Sequence, residues 1–326
     1  MQRAHTVTLG ITTLLLICLA LLGTRNFSGN ISALIHMSHE FGTHYQVPGG
    51  MVLYQGKGGH DGMLYYQIAR NIPQLFFGEG VRDIPMYDIS YRYQRILLPL
   101  LASILSLGKD TLLPYTILLL NVAAVIGSLA LFLKLQNRVS VHALTIVANP
   151  AALVGILFSL TEPLSLFFLT LFFFLWEKNE RQLNGAQLIA LTLSVLARET
   201  TIIFIGIFFL HALFTRKKRE AGLSLIPLIP FALWQGFLTL RFGEFPLNTG
   251  SRMLNIPLSG PFDLLARTLD APAAYTLSSA SLLLLFVVPL LFVTTRLWLQ
   301  EKGDTSLALL TGLSAFLLFI DRKSTR

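Results

Sequence analysis

The stretch TLLPYTILLLNVAAVIGSLALFL, residues 111–133, runs for 23 positions without a formal charge. As an α-helix it would rise 1.5 Å per residue, about 35 Å in all, against a hydrocarbon core of about 30 Å. Its apolar residues form a continuous run, with neither the alternation of a strand nor the one-sided stripe of a soluble surface helix. The reading is a membrane helix, and the rest of the chain is organised around it.

Further apolar runs lie at about 7–23, 96–107, 141–158, 164–176, 186–197, 200–214, 223–240, 276–298 and 305–320. This pattern predicts an all-α polytopic membrane protein, one membrane domain over 1–326 with about 8–10 membrane helices. Several runs are too short to cross unaided, and proline interrupts some of them. Broken or re-entrant helices of that kind stand where protein or water covers the freed backbone. Composition agrees: 53% of residues are hydrophobic and 13% charged, where soluble domains carry about 25% charged. Mean hydropathy is +0.64. The net charge of +8 sits in short gaps between apolar runs, which fits a positive-inside bias and not a nucleic-acid-binding face. Cys18 is the one cysteine, so an intrachain disulfide and a cysteine-based zinc site are excluded.

The run at 7–23 follows Arg3, and Gly23-Thr-Arg-Asn26 offers no small-x-small cleavage pattern. It reads as a retained signal anchor. At the other end, Asp321 to Arg326 follow directly on an apolar run and read as a truncated or artefactual end. Orientation follows from the basic connections Lys134–Arg138, Glu177–Arg181, Arg216–Arg219 and Arg296–Lys302, which all fall on the cytoplasmic side if 96–107 does not cross. The long polar stretch 24–95 then becomes a first external loop and 241–275 a second. That threading gathers Asp61, Glu162, Arg198 and Glu199 on one external, periplasmic side.

Four polar stretches stand out against this background. In Gly58-Gly-His-Asp-Gly62, glycines flank His60 and Asp61, and an amphipathic helical pattern follows. Asp61 can be a helix N-cap or a general base for an attacking hydroxyl. His60 reads as polar surface or as a substrate contact; with Asp61 alone it would leave a metal under-ligated. In Tyr87 to Pro99, Arg92 and Arg95 lie three apart where the chain enters an apolar run. They can be interfacial anchors or a clamp on a lipid phosphate, whose oxygens the forked guanidinium matches. Glu162 in Ser159-Leu-Thr-Glu-Pro163, and Arg198 with Glu199 in Leu196 to Thr201, split apolar stretches. Ionisable groups at such breaks are functional candidates that can also merely satisfy freed backbone. The 241–275 loop carries Arg241, Arg252 and Arg267 but no motif.

Taken in order, the Asp-Gly box, YRYQRILLPLLASILSLG (91–108), the Asn149-Pro150 and Thr161-Glu-Pro163 elements and Leu196-Ala-Arg-Glu-Thr200 resemble the membrane glycosyltransferases of the GT-C fold. Within that group the chain is most similar to bacterial cell-surface glycopolymer formation proteins, relatives of the PIG-V-like mannosyltransferases. The resemblance covers roughly residues 54–205. It implies a GT-C-like bundle that transfers a sugar from a polyprenyl-phosphate donor to a glycan or lipid acceptor. Asp61 would be the base or its close partner. His60, Arg92, Arg95, Glu162, Arg198 and Glu199 are the expected substrate-binding residues, the arginines on the departing lipid phosphate. No cofactor or protein metal ligand is required by this scheme, and a divalent ion on the phosphate stays open. Where relatives often carry an aromatic residue and a glutamine, this chain has His60 and Met63, which leaves the acceptor unspecified. Two other classes remain open: a transporter or flippase of a lipid-linked sugar, and a non-catalytic subunit of a polysaccharide assembly complex.

Overall fold

The computed structural model of the chain describes residues 2–55, 60–78, 89–136 and 146–246. The expected spans at 276–298 and 305–320, most of the 241–275 loop, and Gly58, Gly59, Tyr87 and Asp88 lie outside the described residues. Among the described residues the chain is all-helical, with a single isolated bridge between Ser38 and Tyr54 and no strand.

α1 (Gln2–Thr24) is a long apolar helix. The expected first external loop then folds into six short helical pieces. They are two 3₁₀ turns (Arg25–Phe27 and Ile31–Ile35), α2 (His39–His44), α3 (Asp61–Arg70), α4 (Ile72–Phe77) and α5 (Ile89–Arg92). α6 (Leu97–Leu105) and α7 (Leu113–Gln136) follow, then α8 (Pro150–Leu157), α9 (Glu162–Lys178), α10 (Gly185–Ala197), α11 (Thr201–Phe214), α12 (Lys218–Ser224) and α13 (Leu228–Phe242).

Among the described residues three segments are long and apolar enough to cross a membrane: Arg3–Phe27, Leu113–Leu135 and Lys218–Phe242. The last comprises α12 and α13 with the turn between them. α6 has 9 residues, a rise of about 14 Å, too short to cross. α10 and α11, with 13 and 14 residues, would each rise only about 20 Å. The apolar run at 141–158 is not one helix in its described part: α8 starts anew at Pro150. There Asn149 accepts a hydrogen bond from the Ala151 amide at 2.9 Å, and proline occupies the first turn, where no amide hydrogen is needed. α10 opens with a capping box in which Gln187 Oε1 accepts from the Asn184 amide. Gly243 closes α13 with a left-handed φ of 78°.

α9 packs along both α7 and α10, and α7 also touches α1 and α6. Close approach is built in: a Cβ on Gly127 of α7 would stand 2.7 Å from the Phe167 ring of α9. Buried polar groups repair the helix breaks. Asn121 of α7 donates to the carbonyls of Gly155 and Leu160 at 3.1 and 3.0 Å. Ser165, Ser194 and Thr201 share a hydroxyl cluster at 3.1–3.2 Å where α9, α10 and α11 meet.

The first loop is part of this core, which its polar composition did not suggest. α3 packs against α6 and α7, with Tyr66 and Ile68 fully buried. Its far end is pinned by Arg70, which donates to Asp110 at 2.7 Å and to the Tyr45 carbonyl at 3.0 Å. α13 docks over the same region: Trp234 Nε1 donates to the Tyr93 carbonyl, and Arg241 to the Gln74 carbonyl.

Candidate functional site

Asp61 is the first residue of α3, and His60 before it is the extended N-cap residue. Gly62 explains the local sequence. A Cβ there would stand 2.2 Å from the Phe158 carbonyl oxygen and 3.1 Å from that of Ile35. Only glycine lets the start of α3 wedge between these two backbones, and this fixes where the Asp61 carboxylate is presented.

α5 and the turn after it bring two guanidiniums to that carboxylate. Arg92 Nη1 stands 3.2 Å from Oδ1 and Arg95 Nη1 4.0 Å from Oδ2. Arg95 is the hub of the cluster. It grips Glu199 with both edges of the fork, Nε to Oε2 at 2.8 Å and Nη2 to Oε1 at 2.6 Å. It also donates to the hydroxyls of Tyr65 at 3.0 Å and Tyr91 at 3.3 Å. Glu199 lies in the turn between α10 and α11. Burial alone would raise its carboxyl pKa, but the charge and hydrogen bonds of Arg95, with Arg198 nearby, hold it down to about 2. The pair is therefore ionic, and Arg95 is largely committed within the protein.

Arg198, in the same turn, is paired with Glu162 of α9 and donates from Nε to the Thr200 hydroxyl. Tyr65 stands between the two ion-pair systems, within electrostatic reach of Arg95, Asp61 and Glu162. Its burial raises the phenol pKa, so it stays a neutral donor and acceptor.

Six of the residues expected from the sequence thus come together: Asp61, Arg92, Arg95 and Glu199 in one ion-pair cluster, Glu162 and Arg198 in a second. His60 adjoins them through the chain, its ring against those of His36 and Phe158 at 5.1 and 4.3 Å. Tyr65 and Tyr91 were missed. Tyr65 lies four residues after Asp61 on α3, a spacing that puts the two on one helical face, whereas Arg95 lies beyond the end of α5 and Tyr91 carried no such signal.

Several polar atoms here are buried without a hydrogen-bond partner among the described residues: Arg92 Nε, Glu162 Oε2 and the Thr161 hydroxyl. Such groups are costly unless something else satisfies them. Among the described residues no three His, Cys, Asp or Glu side chains converge to hold a metal ion. The chemistry on offer is a carboxylate that can take a proton beside cations that can receive an anion.

Comparison with family models, with curated proteins and with solved structures returns no match. The class is set by the chain itself: among the described residues it is all-helical, with three membrane-length apolar segments and a partly buried cluster of carboxylates and guanidiniums.

Proposed function

We propose that this chain is a membrane glycosyltransferase of GT-C type. It moves a sugar from a polyprenyl-phosphate donor to a hydroxyl of a cell-surface glycan or lipid acceptor, on the periplasmic face of an inner membrane. The observation that carries this reading is the Asp61 carboxylate standing 3.2 Å from Arg92 and 4.0 Å from Arg95. A proton acceptor and an anion receiver in one place are what glycosyl transfer from a lipid phosphate requires.

In the step proposed, the acceptor oxygen attacks the anomeric carbon and the bond from that carbon to the phosphate oxygen breaks. The lipid phosphate leaves with the electron pair, and Asp61 takes the acceptor's proton. The negative charge that develops on the leaving phosphate is met by guanidinium donors fixed in advance. Arg92 has this task, because its Nε is buried and without a hydrogen-bond partner among the described residues. Arg95, gripped by Glu199, is a positioning group for Asp61 and Arg92. Glu162, whose Oε2 has no hydrogen-bond partner among the described residues, is assigned to a sugar hydroxyl. A lipid-linked donor also accounts for a transferase built from membrane helices.

The test is complementation of a strain deleted for the gene, with wild type and Asp61→Asn at matched membrane levels, followed by mass analysis of the surface glycan. Asparagine keeps the shape and removes the base. Glycan bearing the extra sugar should return with wild type alone. Full restoration by Asp61→Asn would remove Asp61 from the chemistry and favour transport of a lipid-linked sugar.

A further inference from the structure

Beside Asp61 lies a second built feature that the transfer chemistry leaves unused. The rings of His36, Tyr54, His60 and Phe158 form one cluster, joined by Phe27 at its edge. His36 stacks on Tyr54 at 4.6 Å with planes 16° apart and meets Phe158 at 4.4 Å. His60 stands edge-on to His36 and Phe158 at 5.1 and 4.3 Å. Phe27 touches Tyr54 at 4.9 Å.

Two of the segments that assemble these rings are bent. His36 adopts a left-handed φ of 52° and Ser159, next to Phe158, one of 56°. Such conformations in residues other than glycine cost energy and persist where the surroundings hold them, often at functional sites. Here the surroundings do so. Ser159 Oγ donates to the Leu34 carbonyl at 3.0 Å, the Tyr54 amide to that of Met37 at 2.8 Å, and the Tyr54 hydroxyl to that of Ala33 at 3.1 Å. Gly62 locks the same backbones, at Ile35 and Phe158, to the start of α3.

The cluster is also not core. The aromatic group around Phe172, Trp176, Phe204 and Phe208 is buried, whereas His36, Tyr54 and Phe158 are half-buried and His60 is exposed. A membrane-interface belt would be built from Trp and Tyr, and two histidines among four rings do not fit one. Aromatic faces with a few polar atoms at their edges suit a ligand that has an apolar face and a polar rim. A pyranose ring is such a ligand: its C–H bonds form the face and its hydroxyls the rim.

We propose that His60, backed by His36, Phe158 and Tyr54, is a stacking subsite for a neutral pyranose ring, that of the acceptor. Its role as acceptor subsite rests on the transferase reading, because His60 directly precedes the residue that takes the acceptor's proton. The binding of a neutral sugar ring does not depend on turnover and is measured separately.

The experiment is saturation-transfer NMR on the full chain in nanodiscs with methyl α-D-glucopyranoside, methyl α-D-galactopyranoside and methyl α-D-mannopyranoside. At least one should give a saturable signal centred on its ring C–H protons, retained in Asp61→Asn. His60→Ala should weaken that binding about fivefold, and His60→Phe should keep it, because the aromatic face and not the imidazole nitrogen carries the contact. His60 is exposed, and His60→Phe keeps a ring against His36 and Phe158, so it controls for the packing that His60→Ala removes. Equal binding by wild type and His60→Ala, or no saturable signal from any of the three glycosides, overturns the subsite. Sugar binding that depends on the His60 ring, in a protein whose Asp61→Asn variant still restores the glycan, keeps the subsite and discards the transferase.

Discussion

At the residue scale the site is governed by the fate of one guanidinium. Arg95 spends its donors on Glu199, Tyr65 and Tyr91, and an ion pair so enclosed is more sensitive to the loss of one partner than of both. Glu199→Ala should therefore cost about 3–5 kcal/mol by removing the carboxylate that both edges of the Arg95 fork hold, leaving that cation with the more distant Asp61 carboxylate at 4.0 Å. Arg95→Met combined with Glu199→Leu should cost markedly less stability, yet still impair glycan production because Asp61 and Arg92 lose their positioning group. Thermal unfolding of the detergent-solubilised protein, read beside the glycan mass assay, separates the two effects. Glu162, Arg198 and Glu199 were legible in the sequence because a charge that interrupts an apolar run is conspicuous, Arg92 and Arg95 because they stand where the chain enters one, and Asp61 because glycines flank it. Tyr65 and Tyr91 were not, since a tyrosine in an amphipathic stretch looks the same whether it faces a guanidinium or packs in the core.

At the scale of elements the decisive contact is the wedge of α3 between the backbones of Ile35 and Phe158. Gly62→Ala places a methyl group 2.2 Å from a carbonyl oxygen, and a backbone atom has no rotamer by which to yield. The expected result is a loss of about 1–3 kcal/mol, as for overpacking elsewhere, together with loss of glycan production as Asp61 is displaced. Gly222→Ala in α12 is the matched control: nothing lies within 4 Å of its added Cβ, and a helical glycine replaced by alanine should gain about 0.5–1 kcal/mol. Differential scanning fluorimetry on the two variants reads opposite signs. The Asp-Gly box was visible in the sequence as a turn flanked by glycines. That Gly62 is a contact between three distant segments was not, because close backbone approach leaves no periodicity in the chain.

On the scale of the whole molecule, the half-buried His36 ties stability to pH. Burial first, and the nearby His60 second, lower its pKa from 6.5 to about 4. Between those values the unfolded chain binds the proton and the folded chain does not, so stability rises with pH across the window. His36's contribution is complete above pH 6.5 and is lost as pH falls towards 4. The melting temperature of wild type should drop over that interval, and His36→Phe, which keeps a ring in the stack, should flatten this part of the profile. What the sequence by itself determined is the solvent and the class: apolar runs without charge demand lipid, and helices are the way a chain without a closed barrel satisfies its backbone there. It also marked the residues whose charge had to be accommodated. Only the tertiary structure decided that the polar first loop enters the core, that residues from 61 to 199 along the chain meet as two ion-pair systems, and that an aromatic cluster stands beside them. Each of these depends on contacts between segments far apart in sequence. Burial and pairing are properties of that packing and not of local composition.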